Sequence, residues 1–332
     1  MARRQVKRLP LDEYLNGIRA GNRMMLSKAI TLIESRLPSD RTLANQLIEA
    51  CLPYTGQSYR LGITGVPGVG KSTFIDTYGH RLVEQGQKLA VLAVDPSSQL
   101  SKGSILGDKT RMHQLAHHPN AFIRPSPNAG SLGGVARQTR ESLLLCEAAG
   151  YETIIVETVG VGQSEIAVHG MVDFFLLLAL PNAGDDLQGI KKGIMEMADA
   201  LLINKADGSY LPKARQAKAN YSQALRLFPQ SERGWRPQIH LVSALENTGM
   251  QAVQEMLGSY RSSMEQQGHW QKRRNEQAQQ WMYDAIKQGL EDQFFAHPAI
   301  RERLVELKQL VLEQKRAPIQ VAEELLALWR NQ

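Results

Sequence analysis

Residues Leu61–Thr73 read LGITGVPGVGKST. The first four are an apolar strand signal, and Gly65 to Thr73 complete the pattern G-x-x-x-x-G-K-[ST]. That pattern suits an anion. Gly65, Gly68 and Gly70 let successive backbone N–H groups turn inward. A helix opening at Lys71 adds the partial positive charge of its N-terminus. Val66, Pro67 and Val69 complete the loop. Lys71 is placed to reach β- and γ-phosphates, Ser72 to offer a hydroxyl to Mg²⁺, and Thr73 to reach an α-phosphate. With glycine near 7% of residues, a chance match in a chain this long is on the order of 1%. The stretch predicts a phosphate-binding loop for a nucleoside triphosphate.

Outward from this loop, short apolar runs alternate with amphipathic segments. The runs are Leu61–Thr64, Leu89–Val94, Ala121–Ile123, Thr153–Val156, Phe174–Leu180, Ala200–Ile203 and Ile239–Val242. The alternation predicts an α/β P-loop NTPase fold with a mostly parallel central sheet flanked by helices. Residues 11–52 carry helical stripes, such as Ile18, Leu26, Ala29, Ile30 and Ile33, and Pro53 is expected to end that region. Beyond about residue 262 strand signals stop. The tail carries stripes at Trp281, Met282, Ala285, Ile286 and Leu290, at Leu304, Leu307, Leu310 and Val311, and at Val321, Leu325 and Leu328. Each suits a core or an oligomer seam. The expected organisation is a helical N-terminal extension (1–55), a P-loop domain (56–262) and a helical C-terminal region (263–332).

Two strand-end carboxylates stand out. Asp95 follows the run Leu89–Val94, and Glu157 follows Thr153–Val156. A carboxylate at such a tip beside a phosphate loop holds Mg²⁺ directly or through water. Asp108 is a further candidate metal ligand. Gly160 is placed to give a backbone N–H to a γ-phosphate. Lys71, Glu157 and Asp108 are the candidate catalytic residues, and Ser72, Asp95, Asp108 and Glu157 the candidate metal ligands.

Asn204, Lys205, Ala206 and Asp207 spell N-K-x-D directly after the run Ala200–Ile203. A carboxylate at Asp207 accepts hydrogen bonds from guanine N1–H and its 2-amino group. Adenine offers neither, which costs about 1–3 kcal/mol through the unpaired acceptor. Lys205 is expected along the base plane, with Ser243, Ala244 and Leu245 as a second base-contacting segment. The triphosphate is therefore expected to be GTP.

The whole chain resembles the MeaB/ArgK family of methylmalonyl-CoA mutase-associated GTPases. The stretches that carry the resemblance are Gly65–Phe74, Val94–Ser98, Gly103–Met112, Glu157–Glu165, Asp185–Gly193 and Asn204–Asp207. It implies a SIMIBI-class G domain and a dimerisation arm at 263–332. It also implies a GTPase chaperone for an adenosylcobalamin-dependent methylmalonyl-CoA mutase, gating cofactor loading and protecting the enzyme, with no cobalamin bound directly. In the family, Asp185–Gly193 looks like a switch that reports nucleotide state to the mutase. Asp185, Asp186, Gln188, Lys191 and Lys192 are its candidate contacts. No glutamine directly follows Gly160 to orient water, so slow intrinsic turnover is expected.

Composition narrows the alternatives. A formal charge of +6 is modest for 332 residues, and neither nucleic acid nor membrane is an expected partner. Two distant cysteines, Cys51 and Cys146, give no metal spacing and suit a reducing cytoplasm. The basic N-terminus lacks the apolar run of a secretory signal. An ATP-dependent kinase linked to amino-acid transport conflicts with Asp207. A metallochaperone GTPase would need Cys/His motifs, and His117–His118 is the only histidine pair.

Overall fold

The apolar runs become seven strands: β1 (Tyr59–Gly65), β2 (Leu89–Val94), β3 (Ala121–Arg124), β4 (Thr153–Thr158), β5 (Phe174–Ala179), β6 (Ala200–Ile203) and β7 (Gln238–Leu241). In this computed structural model the described residues are 8–35, 37–94, 112–125, 132–158, 164–181, 192–228 and 233–330. The strands form one sheet in the order β3-β2-β4-β1-β5-β6-β7, and every pairing is parallel. All residues of β2, β4, β5 and β6 are buried. That is why these strands read as unbroken apolar runs: helices cover both faces of a parallel sheet. β4 runs two residues past the expected end, through Glu157 and Thr158. Thr158 Oγ1 donates to Thr64 Oγ1 at 2.9 Å and knits it to β1.

The N-terminal stripes fold as α1 (Leu11–Arg19), α2 (Arg23–Ile33) and α3 (Pro38–Cys51). Ile18, Leu26, Ala29, Ile30 and Leu47 are fully buried there. Pro53 sits inside a 3-10 turn, Leu52–Tyr54, that extends the helical region past Cys51. α4 (Lys71–Glu84) follows the phosphate loop, and α5 (His113–His117) and α6 (Leu132–Ala148) lie before and after β3. α7 (Ser164–His169), α8 (Lys192–Met197) and α9 (Leu211–Leu225) connect the later strands. α10 (Met250–Gln266) packs Val253, Met256, Leu257 and Tyr260 into the core beneath β1 and β5.

The chain divides into two compact units, Met1–Asn275 and Glu276–Gln332. The long helix α11 (His269–Ala296) runs through the division. In the first unit its opening turns carry two buried arginines. Arg274 makes a two-pronged contact with Asp173, Nε to Oδ1 at 2.8 Å and Nη2 to Oδ2 at 2.6 Å, and also donates to the carbonyls of Gly56 and Ser58. Asp173 also accepts from Arg60 N at 2.8 Å, and the Arg60 side chain pairs with Glu147. Burial alone lowers the Arg274 pKa, but Asp173, with Glu147 and Glu265, outweighs it and holds the guanidinium above its ordinary value. In the second unit, α12 (Pro298–Leu312) and α13 (Pro318–Arg330) form a hairpin around Ile300, Leu307, Val321 and Leu325. Among the described residues no helix is long and apolar enough to cross a membrane.

Candidate nucleotide site

β1 lies between β4 and β5, where the strand order reverses direction. Open α/β sheets bind ligands at the carboxyl ends of strands at such a point. The chain leaves β1 at Gly65, whose φ is +152° and where a Cβ would come within 2.6 Å of Leu178 O. Gly70, at φ +94°, is the residue before α4, and no side chain caps that helix. A Cβ on Gly70 would meet Asn204 Nδ2 at 2.7 Å, so only glycine fits. The first N–H groups of α4 thus open toward the loop. Pro67 and Gly68 are exposed at its tip, while Val69 anchors it in the core.

Lys71 is buried and its Nζ donates to Gly65 O at 2.8 Å, across the loop. Burial pulls its pKa below the usual lysine value, while the carboxylates of Glu157 and Glu165 oppose the shift. A polyphosphate set against it favours the charged form again. Glu165, fully buried on α7, was not a sequence-level candidate. It stands far from Lys71 in sequence, and only the fold brings the two together.

Ser72 Oγ donates to Glu157 Oε1 at 3.3 Å. A hydroxyl and a carboxylate side by side at the phosphate loop are the hard oxygen donors that Mg²⁺ takes, with phosphates completing the shell. Among the described residues no group of three His, Cys, Asp or Glu could hold a metal by itself. The pair Ser72 and Glu157 is of a kind that fits a magnesium ion carried by phosphates. Asp95, Asp108, Gly160, Asp185, Asp186, Gln188 and Lys191 lie outside the described residues. Lys192 opens α8, is exposed, and places its ammonium 6.0 Å from the Phe228 ring centre.

The segments expected to read the base converge on the same loop. Asn204 Nδ2 donates to Val69 O at 2.8 Å, and its Oδ1 accepts from Ala244 N at 3.1 Å. Thr77, on α4, donates from Oγ1 to Ala244 O at 2.8 Å. Both polar groups of the Ala244 peptide are thus held, one by Asn204 and one by α4. The Asn204 amide ties loop to loop rather than standing open toward a base. Asp207 accepts a short hydrogen bond from Ser243 Oγ, which also accepts from Glu246 N at 3.1 Å. Lys205 sits at φ +58°, a conformation uncommon for a residue with a side chain and frequent at functional sites. A cavity of about 270 Å³ opens here, with Gly70, Thr73, Asn204 and Lys205 on one part of its wall. Asp207, Ala244, Leu245 and Tyr210 line the remainder. Thr77 and Tyr210 carry no motif and were not expected from sequence.

A parallel sheet, a phosphate loop at its switch point and an acid-bearing base pocket tied to that loop define a P-loop GTPase. The family follows from the chain as a whole. It belongs to the methylmalonyl Co-A mutase-associated GTPase family MeaB, whose sequence model matches residues 26–299. The GTPase ArgK of Escherichia coli K12 is 43% identical over 94% of this chain and 96% of its own length. The mouse mitochondrial protein called methylmalonic aciduria type A homolog is 42% identical over 97% of this chain and 80% of its own. A crystal structure described as an LAO/AO transport system kinase is 35% identical and superposes with a TM-score of 0.76, covering 98% of this chain and 99% of that one.

Proposed function

We propose that this GTPase is a nucleotide-dependent chaperone of an adenosylcobalamin-dependent methylmalonyl-CoA mutase, acting in cofactor loading and protection. The observation that carries this reading is the match to a mutase-associated family across residues 26–299. The naming of the mouse relative for methylmalonic aciduria supports it. Lys71 and the N–H groups at the start of α4 stabilise charge on the transferring phosphoryl group. Ser72 and Glu157, with Asp95 and Asp108, would hold Mg²⁺, which would supply positive charge against the phosphates. No glutamine directly follows Gly160 to orient the attacking water, so intrinsic turnover is slow and the partner raises it. The segment Asp185–Gly193 reports nucleotide state to the mutase, and the cytoplasm is the proposed compartment. Co-purification from the native host, with and without a non-hydrolysable GTP analogue, tests the reading. Nucleotide-dependent recovery of a cobalamin enzyme is the expected result, and recovery of none in either state sinks it.

The helical C-terminal region, residues 263–332, is the proposed dimerisation arm. Met282, Ile286 and Leu290 recur every four residues on α11, and each is about half exposed. Exposed apolar stripes of this kind mark interaction surfaces. A double change, Ile286→Asp with Leu290→Asp, should convert a dimer into a monomer in sedimentation at micromolar protein, with basal GTP hydrolysis kept. A variant that stays dimeric places the seam elsewhere. The kinase reading has the name of the solved relative in its favour. The acid at Asp207 opposes it, because ATP leaves that acceptor unpaired.

A further inference from the structure

Directly after Asp207 the chain makes a tight 3-10 turn, Gly208–Tyr210, with Gly208 at φ +45°. Tyr210 N donates to Asp207 O at 2.9 Å, which folds residue 210 back beside the base-reading carboxylate. Tyr210 lines the same cavity as Asp207 and Lys205, and the residue remains about half exposed. Pro212 in the first turn of α9 fixes the exit from this turn. Lys213, one step further, places its ammonium 5.9 Å from the Tyr210 ring centre, within cation–π range. An aromatic ring facing a cavity, steadied by a cation and adjoining the group that reads the purine edge, is an unused stacking surface.

We propose that Tyr210 is the aromatic wall of the base pocket and packs its ring against the face of the bound guanine, with Lys213 positioning that ring. The proposal rests on the GTPase reading of the site and adds a face contact to the edge contact at Asp207. The two contacts differ in what they sense. Asp207 reads donors on the base edge, so it discriminates guanine from adenine. A ring reads only a π-face, which every base has, so it adds affinity without discrimination.

The test compares GDP, GTP and ADP as competitors of a fluorescent GDP on the full-length protein, together with inorganic tripolyphosphate. Tyr210→Ala should weaken GDP and GTP about tenfold, the loss that removal of one stacked aromatic brings. Tyr210→Phe and Tyr210→Trp should stay within about twofold of the parent, and Lys213→Ala should show a smaller loss than Tyr210→Ala. The ratio of GDP to ADP affinity should not change in any of them. Tripolyphosphate affinity should also be unchanged, because the phosphate loop is untouched. Equal losses in the alanine and phenylalanine variants would assign the effect to the hydroxyl and overturn the proposal. So would an unchanged alanine variant, or a parallel fall in tripolyphosphate affinity. The unmodified protein separates the two readings: if it does not prefer GDP to ADP, the guanine site itself fails, whatever Tyr210 does.

Discussion

An Asp207→Asn variant should lose its preference for GTP, with affinity falling about a hundredfold, and should gain affinity for xanthosine triphosphate. The carboxylate can only accept, and guanine offers two donors on the facing edge. An asparagine amide accepts once and donates once. It therefore leaves the 2-amino group of guanine facing another donor. Xanthine carries a carbonyl at that position, and the amide N–H then has a partner. Ser243 Oγ, which donates to Asp207 in the native pocket, can equally donate to the new amide oxygen. The backbone frame of Asn204, Val69 and Ala244 does not involve the altered group. Displacement of a fluorescent GDP by GTP, XTP and ATP measures the change. Retention of GTP preference would remove Asp207 as the reader and reopen the kinase reading.

The largest effect on stability is expected at Arg274. Arg274→Ala should destabilise the first unit by about 3–5 kcal/mol, because it strands the Asp173 carboxylate in the core. The carbonyls of Gly56 and Ser58 lose their donor as well. Melting followed by circular dichroism should fall by roughly 5–10 °C. Removing both partners is a different case. Arg274→Met with Asp173→Leu leaves no buried charge and should recover part of the loss, since apolar replacements of buried ion pairs are often tolerated. If the single variant melts with the parent, the pair is not what holds the start of α11.

The fold was legible because its signals are local. Strands β2, β4, β5 and β6 are buried on both faces, so runs such as Leu89–Val94 and Phe174–Ala179 announce themselves as apolar. The phosphate loop was legible for a related reason: backbone geometry at Gly65 and Gly70 admits only glycine. Contacts between distant segments were not legible. Arg273 and Arg274 stand in a polar, Gln-rich run that resembles a solvated helix face. Their burial depends on Asp199 and Asp173, which lie far away in sequence. Likewise, only folding brings Tyr210 to the cavity and Glu165 near Lys71. The tail stripes divided by partner. Leu307, Val321 and Leu325 found each other across a hairpin, while Met282, Ile286 and Leu290 remain half exposed. Periodicity alone reads the same for both.

The hydrogen bonds from Asn204 to Val69 O and Ala244 N, and from Thr77 to Ala244 O, have a thermodynamic consequence. They fasten the base pocket to the phosphate loop through fixed backbone groups. GDP and GTP present the same base to the same frame. That half of the site therefore supplies equal free energy to both nucleotides, and an equal contribution cannot displace an equilibrium between two conformations. The base pocket sets how tightly a nucleotide is held. Any information about which nucleotide it is must be carried by the γ-phosphate and the groups that touch it.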